Sequence, residues 1–321
     1  MRWRHVGFAV AAVAVVGIGG AWAAIAAMSG SSLDADDRAV VEEVENESHS
    51  ETADATRFVE ENVAVLLSAD VAGEVDGGDL AALFEVALDG DGTDGVFETI
   101  VFAVAEEGAI HSPELRPVLG EAAGARLAWF DARINAFTSD NSDQWSELRV
   151  AYRSAFALLR ETMRDHAVAE RLRQSMTDYG RAEVAAAPEA GEERSFRLKG
   201  MGRFQAFFTL AYYEAEKRDA RLDGDLDAVD AAEEADQKRR QEDFVGRAMW
   251  VAVDRFESDP AVRAAAVGEP FADASGALKG DLSESGTQAL EAWATNQARE
   301  GGLLVDDVTR LNAGAEDARG G

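Results

Sequence analysis

Residues 88–95 read LDGDGTDG, and Asp89, Asp91 and Asp94 alternate with glycines much as carboxylates do where a backbone wraps a hard cation such as calcium. Counted from Asp89 as a helix–loop–helix calcium loop, Asp91 and Thr93 fall on the third and fifth positions. The sixth, which turns sharply and needs glycine, is Asp94, and the twelfth, which should be a bidentate glutamate, is Ile100. Counted from Asp91 the register fails sooner, because Gly95 lands on a ligand position. The stretch therefore reads as a linker between two helices, its glycines taking positive φ and Asp94 capping the helix that follows. Asp89, Asp91 and Asp94 are at most weak calcium candidates.

Other chemistry fares no better. The four histidines, His5, His49, His111 and His166, are far apart. His166 and Glu170 have the i, i+4 spacing of a helix face, but no HExxH surrounds them and a surface pair is expected. No GxSxG is present, and Ser195 to Lys199 is one residue too long for an SxxK dyad. Gly200 and Gly202 follow no predicted strand and belong to no phosphate-binding fingerprint, so close packing or a bend is their expected role. There are no cysteines, which removes disulfides and thiolate chemistry. With 61 Asp and Glu, almost any two carboxylates look paired. No catalytic residue and no cofactor is assigned, and the residues make no positive case for an enzyme.

The most specific pattern is cationic. Arg149, Arg153, Arg160, Arg164 and Arg171 recur at steps of 4, 7, 4 and 7, beside an apolar stripe of Trp145, Leu148, Tyr152, Phe156, Leu159 and Met163. The spacing predicts one helix with an apolar and a cationic face. The cationic face is either solvated surface, with arginine stems covering apolar neighbours, or a docking face for the acidic N-terminal third of the chain or for an acidic partner protein.

The elements that must carry these residues are helical. Only 5 prolines occur in 321 residues against long Ala-, Glu- and Arg-rich runs, and no stretch of alternating β-branched residues calls for a strand. The expected fold is all-α: an N-terminal membrane or signal helix, then an irregular multi-helix bundle with one or two long helices. Formal net charge is −30, and residues 29–150 hold 28 of the acids with 6 bases, so the surface repels a phosphate backbone and no nucleic-acid partner is expected. Arg2 and Arg4 precede the uncharged residues 6–28, a run of 23 that at about 1.5 Å per residue spans about 30 Å of hydrocarbon. The charge order places the N-terminus inside and the body outside. Residues 1–30 thus form a membrane anchor, or a signal peptide if cleaved near Ala23 or Ala26.

Residues 31–78 read as an acidic stalk or linker and residues 79–321 as a helical domain with a sub-boundary near 188–194. Within it, Asp79 should cap a helix holding Leu80, Leu83, Phe84 and Leu88. A second helix has Phe97, Ile100, Val101 and Val104 on one face. Ser112-Pro113-Glu114 should start a third, running to about Phe137. After Glu193, a helix with Phe204, Phe207, Phe208, Leu210, Tyr212 and Tyr213 should be central. The next is polar at first and apolar from Phe244. Asp259-Pro260 and the Ser285/Gln288 capping box mark later starts.

Laid out in this order, LAALFEVALDGDGTDGVFETIVFAVAEEG, KGMGRFQAFFTLAYYEAEKRDAR and QEDFVGRAMWVAVDRF resemble the long helical regions of actinobacterial type VII (WXG-type) secretion-associated, TPR-repeat-region-like proteins. The likeness is of composition and element order; no WxG turn and no 34-residue repeat is present. The YxxxD/E tag of that system occurs as Tyr179 with Glu183 and Tyr212 with Glu216, close to the chance expectation for so acidic a chain. The family has no known activity to transfer. The resemblance implies an exported, helical, non-enzymatic protein. The expected function is that of an interaction or scaffold component of the cell envelope, against an alternative of an extracytoplasmic hydrolase or weak calcium binder.

Overall fold

The computed structural model describes residues 35–48, 51–90, 92–136, 145–255 and 304–320. Among these every regular element is a helix: α1 (Ala35–Glu47), α2 (Thr52–Leu66), α3 (Ala69–Ala72), α4 (Gly77–Leu88), α5 (Asp94–Glu107), α6 (Leu115–Ala125), α7 (Leu127–Ile134), α8 (Trp145–Thr162), α9 (His166–Ala186), α10 (Glu192–Leu222), α11 (Leu226–Arg255) and α12 (Leu304–Gly320). None of these helices is long and apolar enough to cross a membrane. The segment expected to do so, residues 6–28, lies outside the described residues, as do the predicted starts at Asp259-Pro260 and Ser285.

The N-terminal half forms from short helices whose apolar faces follow the sequence pattern. Leu80, Leu83, Phe84 and Leu88 of α4 and Phe97, Ile100, Val101 and Val104 of α5 are all buried. The cap of α4 is Asp76, whose carboxylate accepts from the amides of Gly78 and Asp79; the start is thus three residues before Asp79. The turn at 88–95 is as expected in kind, with Gly90 and Gly92 at φ +93° and +92°, but the residue before α5 is Thr93. The Thr93 hydroxyl donates back to the Leu88 and Gly90 carbonyls, while Asp94 joins the helix and pairs with Arg126 at 3.1 Å.

Three further expectations change. The stretch 52–78, read as stalk, packs into the body: Ala55, Val59, Val63 and Leu66 of α2 are buried against α4 and α5. Ser112-Pro113-Glu114 precede a helix that begins at Leu115 and is interrupted at Arg126, whose guanidinium folds back onto the Ala122 carbonyl, Asp94 and Thr93. The break near 188–194 separates α9 from α10 in sequence, but one buried cluster runs through both and on to α2, so no gap in the core accompanies it.

The 31-residue α10 is the centre. Phe204, Phe207 and Phe208 are fully buried, and edge-on ring contacts link Phe207 to Tyr152 of α8 and Phe208 through Phe130 to Phe97 and Trp129. Each such pair contributes roughly 0.5–1.5 kcal/mol beyond the area it buries. On its other side α10 meets α12 at near-backbone contact. A Cβ at Gly202 would overlap the Leu311 carbonyl, and one at Gly314 would overlap the Lys199 carbonyl. Glycine is required at both positions because two helix backbones touch there. Gly200 likewise faces the Asn135 amide, which donates to its carbonyl.

Candidate functional site

The arginine series lies on two helices. Thr162, with its hydroxyl donating to the Leu158 and Leu159 carbonyls, ends α8, and Asp165 in extended geometry caps α9 by accepting from the Val168 amide at 3.0 Å. Aspartate three residues before an apolar helix face is a usable start signal; the unbroken arginine spacing obscured it. Arg149, Arg153 and Arg160 belong to α8, Arg164 sits in the turn and Arg171 is on α9. Arg149, Arg153 and Arg171 are exposed. The other two are committed internally.

What holds them is Glu161, whose side chain is fully buried. Its carboxylate accepts from Arg218 of α10 at 2.6 Å, and it pairs with Arg160 at 3.1 Å and Arg164 at 3.2 Å. Arg160 and Arg218 also donate to the Gly108 carbonyl, at 3.3 and 2.9 Å. Gly108 ends α5 at φ +71°, a conformation glycine adopts without a Cβ penalty, and that turn exposes its carbonyl to the two guanidiniums. Arg164 closes the set through Asp219 of α10 at 2.6 Å. Thus the end of α5, the end of α8, the turn that follows it and α10 are tied at one point around a charged group that water cannot reach. No sequence pattern places Arg218 and Glu161, 57 residues apart, in contact.

The electrostatics follow from crowding. Burial lowers the pKa of Arg116 and Arg218, and neighbouring guanidiniums lower them further, while Glu161 pulls the other way. Burial also acts to lower Arg164, but its bonds to Asp219 and Glu161 outweigh that and raise it. The Nε of Arg116 is buried with no hydrogen-bond partner among the described residues.

Beside this cluster opens a cavity of about 460 Å³, set between the α8–α9 turn, the last turns of α10 and the first half of α11. On the polar side stand Arg164, His166, Tyr212, Glu216, Asp219 and Asp223; on α11 the wall is Ala228, Ala231, Ala232 and Ala235. His166 faces Tyr212, with Nδ1 3.1 Å from the phenol oxygen, instead of pairing with Glu170, which holds Arg173. Arg239 grips Glu216 with two bonds of 2.8 and 2.7 Å and lies 4.1 Å over the Tyr212 ring. Burial and then Glu216 raise the Tyr212 pKa, so the phenol stays protonated.

Two of the three carboxylates here are therefore held in ion pairs, Glu216 by Arg239 and Asp219 by Arg164. A general base needs a carboxylate or imidazole aimed at open space. The recess keeps one such carboxylate, that of the exposed Asp223, together with the His166 imidazole 3.1 Å from the Tyr212 oxygen. The described residues contain no group of three or more potential metal ligands; Asp89 ends α4, Asp94 is paired with Arg126, and Asp91 lies outside the described residues. Of the two YxxxE tyrosines, Tyr212 is 2% exposed, and Tyr179 donates to Asp131 at 3.1 Å and packs on Phe204. Comparison with protein-family models, with curated proteins and with solved structures finds no match.

Proposed function

We propose that this protein is an interaction or scaffold component of the cell envelope, held by residues 6–28 with its acidic helical body outside, or secreted if that segment is removed. The location rests on Arg2 and Arg4 before 23 uncharged residues and on the acids that follow. The interaction reading is carried by one observation: the cavity at the α8–α9 turn has two of its carboxylates locked to arginines and keeps an open, alanine-walled recess. Recognition of an acidic partner through Arg149, Arg153 and Arg171 belongs to the same proposal, since these stand exposed on an otherwise acidic chain. The type VII resemblance accords with it.

Crosslinking in native membranes followed by capture of the full chain tests the function. Recovery of a defined partner supports it, and capture of lipid alone overturns it. Protease treatment of spheroplasts tests the location: the body is expected to be cut before lysis, and protection until lysis overturns that part.

A further inference from the structure

The hairpin end where α10 turns into α11 carries two exposed leucines, Leu222 at 64% and Leu226 at 78% exposure. A single exposed leucine needs no explanation. These two flank one turn, and the residues between and just beyond them, Asp223 and Ala228, line the cavity. The apolar rim and the recess are therefore continuous.

The recess stays open because of residue size. Ala228, Ala231, Ala232 and Ala235 stand at i, i+3, i+4 and i+7, the spacing at which α11 would otherwise present large side chains to α9 and α10. Charge then restricts what can enter. From Asp219 to Glu234 the chain holds Asp219, Asp223, Asp225, Asp227, Asp230, Glu233 and Glu234 against Arg221 alone. The nearby cations Arg164 and Arg239 are already paired. An anionic headgroup or nucleic acid is repelled, and a purely apolar segment leaves the acidic rim unmatched.

We infer that this hairpin end is a docking groove for a basic amphipathic segment of a partner protein. One apolar side chain of the segment rests on the alanine wall between Leu222 and Leu226, and its lysine or arginine side chains meet Asp223 and Asp227. A second copy of this chain is disfavoured as occupant by mutual repulsion at a net charge of −30. The inference rests on the interaction reading but not on the envelope location.

The test uses the full chain in detergent and a fluorescent 18-residue Lys/Leu amphipathic peptide, with a Glu/Leu peptide as control, followed by anisotropy. Because any basic peptide is drawn to so acidic a protein, the deciding variant is steric. Ala231→Trp, at an exposed wall position, fills the groove without changing charge. Asp223→Lys reverses the rim, and Glu74→Lys reverses an exposed acid on the turn before α4. Tenfold or greater weakening by the first two and less than twofold by the third is expected. Binding unchanged by Ala231→Trp, or lost equally with Glu74→Lys, means diffuse attraction and overturns the groove. Sedimentation of the chain alone covers the remaining occupant: a dimer that Ala231→Trp dissociates places a second copy in the groove, which also overturns it. A groove that fails while native crosslinking still yields a partner leaves the broader function standing on another surface.

Discussion

Arg194 and Asp307 close a buried ion pair at 2.8 Å across 113 residues, each side chain only 5% exposed. It fixes α12 to the first turns of α10, with the Arg194 guanidinium also donating to the Pro188 carbonyl at 3.0 Å. Removing one partner strands a charge out of water, which costs about 3–5 kcal/mol. Asp307→Ala is therefore expected to lower unfolding free energy by about 3 kcal/mol in urea denaturation. Arg194→Met with Asp307→Leu should recover most of it. A double variant no better than the single would show that the pair stabilises beyond the cost of an isolated charge.

Glu161 gives a second expectation. With three guanidiniums on one buried carboxylate, Glu161→Gln leaves the cluster with excess positive charge and should cost about 3 kcal/mol. Within the arginine series the effects should split by burial. Arg164→Gln loses its bonds to both Glu161 and Asp219, while the exposed Arg153→Gln should fall within about 0.5 kcal/mol of wild type. Thermal melts without any partner read this directly; equal effects would contradict the division of the series at Thr162.

At the α10–α12 crossing, Gly202→Ala and Gly314→Ala each drive a methyl into a facing carbonyl. Overpacking of this kind typically costs about 1–3 kcal/mol. Gly95→Ala, where nothing lies within 4 Å and φ is unexceptional, should be neutral or slightly stabilising. The comparison separates backbone proximity from a general preference for glycine.

Asp131 predicts a pH dependence. Burial raises its pKa above 3.8, although Asn135 and Tyr179 donate to the carboxylate at 2.7 and 3.1 Å and act to lower it. The folded state thus binds this proton more tightly than the unfolded state. Its contribution is present below 3.8 and is lost as pH rises through the raised value. Asp131→Asn should accordingly gain stability relative to wild type as pH rises from 3.8, then level off. A difference that stays constant from pH 3 to 7 would refute the assignment.

Where one helix face decided the outcome, the sequence was readable. The buried sets of α4 and α5 were visible as spacing and the glycines at 90 and 92 as a turn, because each depends on neighbours within a few residues; Gly200 and Gly202 were legible only as close packing or a bend, since the residues they meet, Asn135 and Leu311, are distant in sequence. The site was not readable for the opposite reason. Glu161 with Arg218, or Arg239 over Tyr212, depends on which helices lie side by side. Regular arginine spacing suggested one continuous helix, whereas the Asp165 cap and the Glu161 cluster favour a turn at Met163. The acids of 52–66 suggested a stalk because charge dominates composition, yet four small or branched residues on one face sufficed to bury α2.

The contact of Gly202 with the Leu311 carbonyl has a consequence in time. The two positions are 109 residues apart, and a chain synthesised at roughly 5–20 residues per second emerges over that span in about 5–20 s. For that interval the α10 backbone at Gly202 has no α12 to meet. Until α12 has been made, the side of α10 at Gly202 lacks the backbone that covers it in the folded protein.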